Sequence, residues 1–468
     1  MQLLAQSSGL TFTRCSIGDG ATLLPAQCAE LEVPLDPEAP TGESLTLSIA
    51  KIPARTNTPK ADPFTLIAGG PGQSAKESFP AVAAAFRHVL LDRDIYLIDQ
   101  RGTGQSHKLT CAETEDTSFE FDAAKVSKLA KECRDGLPHD PRFFTTSVAV
   151  RDLDLVRQAI GAEQWNIYGV SYGTRVGLHY LRRFPGNVRS LILDAVVAPE
   201  VALGPEIAVM AERALDALFA RCQRDASCNE AFPGLEQKTQ TLIDSLKQSP
   251  RPVKYEDISS GQLRDLEFDH QHLAVTLRLM SYSAYGNAIL PSMLFDASAN
   301  GNLAPFARQA ELQVRALSNS MATGMQHAVL CTEDEPFTDT DDGRKQSEDT
   351  YLGSNMVDAL KATCQHWDKG IIDDDFKQPV ESNVPTLLLS GSADPITPPS
   401  YGERAMTKLS AATHIVNEHQ GHMQATTGCI PKIMAQFIQN ASVDSLNTQC
   451  LERLVPPPFF IDANGPKP

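Results

Sequence analysis

The segment Gly169-Val170-Ser171-Tyr172-Gly173 constrains the fold more than any other, because an apolar run, Trp165 to Tyr168, precedes it and a helix-like stretch, Thr174 to Phe184, follows. A serine at a sharp strand-to-helix turn projects its hydroxyl away from the backbone, and flanking glycines let strand and helix pass without Cβ clashes. This layout predicts a buried strand feeding a helix and marks Ser171 as the candidate nucleophile. An ordinary Gly/Ser turn needs neither the flanking strand and helix nor the two further glycine-rich loops that lie upstream.

Leu45 to Ile52 alternates apolar and polar side chains, as a half-buried antiparallel opening strand does. Phe64 to Ile67, Ile95 to Ile98, Trp165 to Tyr168, Leu191 to Val197 and Thr386 to Leu389 are short apolar runs of the kind buried on both faces of a parallel sheet. Helical patterns separate several of them, such as Val148 to Ile160 with Val150, Leu153, Val156 and Ile160 on one side. The alternation predicts an α/β fold, a mostly parallel central sheet flanked by helices with ligands at the carboxyl ends of the strands. Between about Pro199 and Val380 the strand signal fades and helical stretches dominate. The expected organisation is therefore a first part of the core over 1–198, an inserted helical cap over 199–380 and a second part of the core over 381–468.

Composition excludes some function classes. A formal net charge of −17 argues against a nucleic-acid partner, which needs a basic face for phosphates. No apolar run reaches the length of a membrane-spanning helix. Ten cysteines, with no Cys-x-x-Cys pair, suit disulfides better than zinc and point to an oxidising compartment. Pairing of sequence neighbours is one expectation, although spacing leaves connectivity open. Met1 to Gln6 lacks the charged start and apolar stretch of a secretory signal, so a secreted or periplasmic location requires a leader already removed.

A serine hydroxyl needs a histidine to take its proton and a carboxylate to orient that histidine. Asp394 stands in the loop after the buried run Thr386 to Leu389, and is the expected acid. Of three nearby histidines, His414 lies within a short strand-like stretch, Thr413 to Asn417, and His419 suits a solvated loop. His422, after a glycine and before a helical segment from Pro431, is the expected base. The run Asp373-Asp374-Asp375 reads more simply as a solvated loop than as a rival acid. Two backbone N–H groups should face the developing oxyanion: that of Tyr172, and that of Gly70 in Ala68-Gly69-Gly70-Pro71-Gly72. Asp99-Gln100-Arg101-Gly102-Thr103-Gly104-Gln105-Ser106 reads as a tight turn braced by a local ion pair. It lacks the lysine of a phosphate loop and the third glycine of a dinucleotide loop, and this chemistry calls for no cofactor and no metal.

The order Ser171, Asp394, His422 is that of the α/β-hydrolase fold. With GGPG at 69–72, DQRGTGQS at 99–106 and GVSYG at 169–173, the chain resembles the prolyl-aminopeptidase family of α/β hydrolases, peptidase family S33, and within it the exported tripeptidyl-aminopeptidase-like branch. That resemblance implies a serine hydrolase releasing amino acids or short peptides from free peptide N-termini, with cap carboxylates holding the substrate ammonium. Glu333 and Asp334, after Cys331-Thr332, are the residues it suggests for that task, and Glu335 is a third. Ala68 stands where prolyl aminopeptidases usually carry histidine, which argues against a narrow preference for N-terminal proline. A carboxylesterase or amidase acting on small esters or amides would use the same three residues.

Overall fold

The structure, a computed structural model, describes residues 9–18, 22–111, 122–258, 260–444, 446–462 and 464–467, so the reading of Met1 to Gln6 lies outside it. Eleven strands are present among these residues: β1 (Thr13–Ile17), β2 (Leu24–Pro34), β3 (Ser44–Ile52), β4 (Phe64–Ile67), β5 (Ile95–Ile98), β6 (Trp165–Val170), β7 (Val188–Asp194), β8 (Arg251–Glu256), β9 (Leu263–Phe268), β10 (Thr386–Gly391) and β11 (Ala412–Asn417). Nine of them form one sheet in the order β1-β2-β3-β5-β4-β6-β7-β10-β11. From β5 to β11 every neighbouring pair is parallel, and β1, β2 and β3 add an antiparallel edge. This is the expected α/β-hydrolase architecture, a mainly parallel sheet flanked by helices.

Burial explains the order. β4 and β5 have no exposed position, because helices cover both faces of the parallel strands. One apolar cluster, with Val150, Val156, Ile167 and Val176, fills one side of the sheet, and another, with Phe64, Phe79, Ile192 and Phe437, fills the other. β4 lies between β5 and β6, where the chain reverses its direction of travel across the sheet. Such a reversal opens a crevice beyond the carboxyl ends of the strands, where ligands bind.

Three readings need correction. Leu45 to Ile52 is not the opening strand, because β1 and β2 precede it; Gln27, Glu30 and Glu32 and a proline near each end hide the pattern of β2. The run expected from Leu191 to Val197 pairs as Val188–Asp194. Strand structure does not vanish after residue 199, since β8 and β9 form a separate hairpin. Its outer face carries Lys254, Glu256, Asp265 and Glu267, so only alternate positions such as Val253, Tyr255 and Phe268 are buried.

This hairpin packs with the helices Pro205–Arg224, Leu235–Gln248, His270–Ser281, Ala284–Asn300 and Ala304–Ser320 around a third apolar cluster containing Leu242, Phe268, Leu273, Leu294 and Phe306. The following helix, Thr323–Glu333, places Met325, Ala328 and Val329 in the cluster of the main sheet instead. Five disulfides join cysteines that are neighbours in sequence: Cys15–Cys28, Cys111–Cys133, Cys222–Cys228, Cys331–Cys364 and Cys429–Cys450.

Candidate active site

β6 ends at Val170 and the helix Tyr172–Arg183 begins two residues later, leaving Ser171 between them at φ 55° and ψ −125°. A side-chain-bearing residue in that region costs about 1–3 kcal/mol, and it persists where the surroundings over-determine it. Here they do. A Cβ on Gly169 would stand 2.3 Å from the Gly173 carbonyl oxygen, and one on Gly173 would stand 2.3 Å from that of Ile67. The strand and helix therefore cross in backbone contact, which only glycine permits. Ser171 N–H donates to the Asp194 carbonyl at 2.9 Å, and Thr174 Oγ1 donates to the Ser171 carbonyl at 2.6 Å.

Asp394 follows β10 and His422 follows β11, so both occupy the rim on which Ser171 stands. His422 Nδ1 lies 2.8 Å from Asp394 Oδ2. Oδ1 of Asp394 accepts from the N–H groups of Ile396 and Thr397, each at 2.9 Å, and Oδ2 accepts from Thr397 Oγ1 at 2.7 Å. Burial opposes ionisation of Asp394, but the His422 charge and these donors outweigh it and hold the carboxyl below its ordinary range. His422 is displaced the other way: burial disfavours the imidazolium, yet Asp394 raises it above the ordinary histidine value. With Nδ1 engaged, Nε2 remains to take a proton from a hydroxyl in the cleft. Ser171 Oγ has no hydrogen bond to a described residue, His422 included, and such contacts commonly tighten only when substrate is bound. Of the rival histidines, His414 bonds Ser390 Oγ at 2.9 Å within β11, and neither it nor His419 pairs with a carboxylate among the described residues.

Asp194, at the end of β7, was not singled out by any sequence motif. Its backbone holds the Ser171 N–H, while its carboxylate accepts from Tyr168 Oη at 2.7 Å, Gln424 N–H at 2.7 Å and Ala425 N–H at 2.8 Å. One fully buried residue thus ties the serine turn to the turn that follows His422. Burial pushes its pKa up to about 6 despite those donors. The available signal is an acid at the end of an apolar strand.

The glycine loop after β4 closes the other side. A Cβ on Gly69 would lie 3.0 Å from Ser171 Cβ, and Gly70 has φ 106°, a backbone state that favours glycine. The N–H groups of Gly70 and Tyr172 have no hydrogen-bond acceptor among the described residues. Residues between β7 and β10 reach both walls of the cleft. Ala322 N–H donates to the Gly72 carbonyl at 2.9 Å, and His422 N–H donates to the Tyr282 carbonyl at 2.8 Å.

Glu333 and Asp334 are brought close to the serine turn, but beneath it. Both are fully buried. Glu333 accepts from Thr146 N–H at 2.7 Å and Thr146 Oγ1 at 2.9 Å, and Thr146 Oγ1 lies 2.6 Å from Tyr172 Oη. Asp334 accepts from both terminal nitrogens of Arg175, at 3.0 and 2.8 Å, and from Leu203 N–H at 2.8 Å. Burial pushes Glu333 up to about 7 even beside Arg175. The expected amine-binding pair is therefore committed to internal partners, and the placement makes it a brace for the first turn of the Ser171 helix. Glu335 begins a short 3-10 turn beyond it.

Two further expectations change. Asp373 is not merely solvated: it pairs with His179 Nε2 at 2.8 Å and with Arg183 and Arg151 at 3.2 Å each. Arg101 finds its acid far along the chain, through bidentate bonds of 2.6 and 2.7 Å to Asp152, while Asp99 caps its own loop by accepting from Ser74 Oγ and Gln105 N–H. Among the described residues, one compact group has metal-ligating atoms, Cys111, Cys133 and His327, and both its sulfurs are joined in a disulfide.

Residues 62–428 match the family described as alpha/beta hydrolase fold. The chain is similar to a tripeptidyl aminopeptidase of Streptomyces lividans, 32% identical over 219 residues, 42% of this chain and 40% of that protein. It is similar to serine protease Hip1 of Mycobacterium tuberculosis, 24% identical over 481 residues, 94% of this chain and 90% of that protein. It is also similar to carboxylesterase B of the same species, 31% identical over 284 residues, 53% of each chain. The matches to the Streptomyces aminopeptidases thus span about two fifths of their length.

Proposed function

The chain belongs to the alpha/beta hydrolase family, and from that premise we propose a serine exo-aminopeptidase that releases amino acids or short peptides from free peptide N-termini. Ser171 Oγ attacks the scissile carbonyl carbon as His422 Nε2 takes its proton, and Asp394 holds the imidazolium through Nδ1. The oxyanion receives the N–H groups of Tyr172 and Gly70. Collapse of the tetrahedral species breaks the C–N bond, with His422 giving its proton to the leaving amine. Water, activated by the same imidazole, then hydrolyses the acyl-enzyme.

The observation that carries this reading is the Asp394–His422 pair at 2.8 Å, on the two loops that share a rim with Ser171. Peptide substrates are favoured by relatives named as an aminopeptidase and a serine protease. A roof that touches both the glycine loop and the histidine loop suits chain ends better than internal segments. The five disulfides suggest an extracellular or periplasmic setting.

A second reading, carboxylesterase, draws on one observation: Glu333 and Asp334 face Thr146 and Arg175, so those two acids leave no carboxylate oxygen for a substrate ammonium. Chromogenic aminoacyl, dipeptidyl and tripeptidyl amides, each with free or blocked amine, separate the two when assayed beside short-chain esters. An aminopeptidase cleaves the free-amine amides at least about tenfold faster than the blocked ones. Equal rates, or turnover of esters alone, overturn the aminopeptidase reading.

A further inference from the structure

We infer that the cap holds a carboxylate-binding subsite on the leaving-group side of the cleft, formed by Arg278 with the hydroxyl of Tyr351. The orientation rests on the serine mechanism proposed above, in which His422 faces the departing group.

The helix His270–Ser281 delivers Tyr282 onto the histidine loop. The Tyr282 ring meets the His422 ring edge-on, with centroids 5.0 Å apart, and its carbonyl receives the His422 N–H at 2.8 Å. Arg278 lies one turn earlier on the same helix and reaches back along Tyr282. Its Nη2 donates to Tyr282 Oη at 3.2 Å, its Nη1 lies 3.9 Å from Met356 Sδ, and its guanidinium carbon is 6.0 Å from the Tyr282 ring centroid.

Among the described residues no carboxylate pairs with its charge. The buried arginines have close carboxylates, Arg101 with Asp152, Arg175 with Asp334 and Arg93 with Asp62, whereas Arg278 is only partly buried. Among the described residues Arg278 has no carboxylate within ion-pair distance, although the chain carries a net charge of −17. Its partners are a phenol and a thioether, both weak acceptors, and Nε is buried with no hydrogen-bond partner among the described residues. Tyr351, which is 3% exposed, likewise buries a hydroxyl with no partner. Tyr351 belongs to the segment packed on the Arg278 helix: its carbonyl lies 2.5 Å from His270 Nε2 at the start of that helix, Met356 five residues on meets Arg278 Nη1, and the Arg278 charge opposes the upward push of burial on the Tyr351 phenol. The same charge lowers the imidazolium of His422, so it acts within range of the reacting groups.

A planar guanidinium and a phenol provide donors suited to a carboxylate, which accepts through two oxygens. Because His422 hands its proton to the leaving amine, a cation beyond Tyr282 meets a charge carried by the leaving residue. That charge is either the α-carboxylate of a short peptide or an acidic side chain at the first departing position.

The experiment compares kcat/KM for short peptides identical except in the leaving residue: alanine as free acid, alanine amide and aspartate amide. The wild-type enzyme is expected to favour a carboxylate-bearing form over alanine amide by at least about tenfold, mainly through KM. Preference for the free acid alone assigns the subsite to the chain terminus, and preference for aspartate amide alone assigns it to a side chain. Arg278→Gln should collapse the ratio toward one, Arg278→Lys should restore part of it, and Tyr351→Phe should lower it less. Using the ratio cancels any general loss from disturbing the cap. No preference in the wild type, or a preference that survives Arg278→Gln, overturns the subsite. If no peptide is cleaved, the aminopeptidase reading fails separately, and 4-acetoxybenzoate against its methyl ester poses the same question. Preference for the acid that Arg278→Gln abolishes then supports the subsite, and equal rates overturn it.

Discussion

Two buried pairings of carboxylate and cation lie on either side of the serine turn, and they are built from similar chemistry. On the rim, Asp394 holds His422, whose other ring nitrogen remains for proton transfer. Beneath the turn, Asp334 and Glu333 hold Arg175, and every carboxylate oxygen has an internal donor. The difference lies in the cation. An imidazole titrates near neutral pH and presents two distinct nitrogens, so one can be oriented while the other reacts. A guanidinium stays charged and spends its fork on one carboxylate, so it can only fix geometry. The rim pair is suited to chemistry and the lower cluster to holding the Ser171 helix in register.

The largest separation between the two should come from removing the reacting groups. Ser171→Ala is expected to lower kcat by at least about 10,000-fold while leaving the urea unfolding midpoint in place. Asp394→Asn should cost about as much. It should also move the acid limb of kcat/KM, because the neutral imidazole is the active form. That limb lies above pH 6.5 in the wild type, where Asp394 raises His422, and removing the charge shifts it to lower pH. An unmoved limb in Asp394→Asn, or retained turnover in Ser171→Ala, would break the assignment of the rim pair.

The lower cluster should respond in the opposite currency. Arg175→Met leaves Asp334 and Glu333 buried with only the Lys377 ammonium, 3.7 Å from Asp334, as a cation, and a one-sided break of this kind costs about 3–5 kcal/mol. Urea titration should therefore show a large fall in midpoint, with turnover by the folded fraction reduced far less than in Ser171→Ala. An unchanged midpoint would remove the bracing role and reopen Glu333 and Asp334 as ligand-facing acids.

Legibility followed burial. β4 and β5 announce themselves because every position but Thr65 is apolar or aromatic, and the serine turn does so because glycines are required where backbones touch. β2 and the β8–β9 hairpin were obscured by their charged or polar faces, which look like loop. The residues proposed as nucleophile, base and acid all stand shortly after strands, a placement that local apolar runs mark. Asp194, by contrast, acts through bonds to residues 230 and 231 positions away, which no local pattern encodes. Glu333 and Asp334 illustrate the same limit: two adjacent acids look solvated or ligand-facing until Arg175 is brought against them by the sheet. An arginine embedded between Thr174 and Val176, in the first turns of a buried helix, is the clue that such acids exist.

The smallest and sharpest test concerns the proton on Glu333. Burial raises its pKa to about 7 from an ordinary 4.5. The folded protein therefore binds this proton across a range in which the unfolded chain has released it. Stability from this group is full below about pH 4.5 and is lost as pH rises through 7, since the native state then holds more protons than the unfolded one. Glu333→Gln keeps a carbonyl to accept from Thr146 but cannot ionise, so it removes that slope. Urea midpoints measured from pH 5 to pH 8 should fall less in the variant than in the wild type. The rim pair predicts a different profile, because His422 loses its bonus only as pH rises through its own raised pKa, and Asp394 loses its bonus only in acid. A wild-type curve between pH 5 and 7 that Glu333→Gln leaves unchanged would mean the carboxylate is already ionised there. Arg175, with Lys377 3.7 Å from Asp334, would then be neutralising two full charges, and Glu333 would be a fixed anion of that cluster.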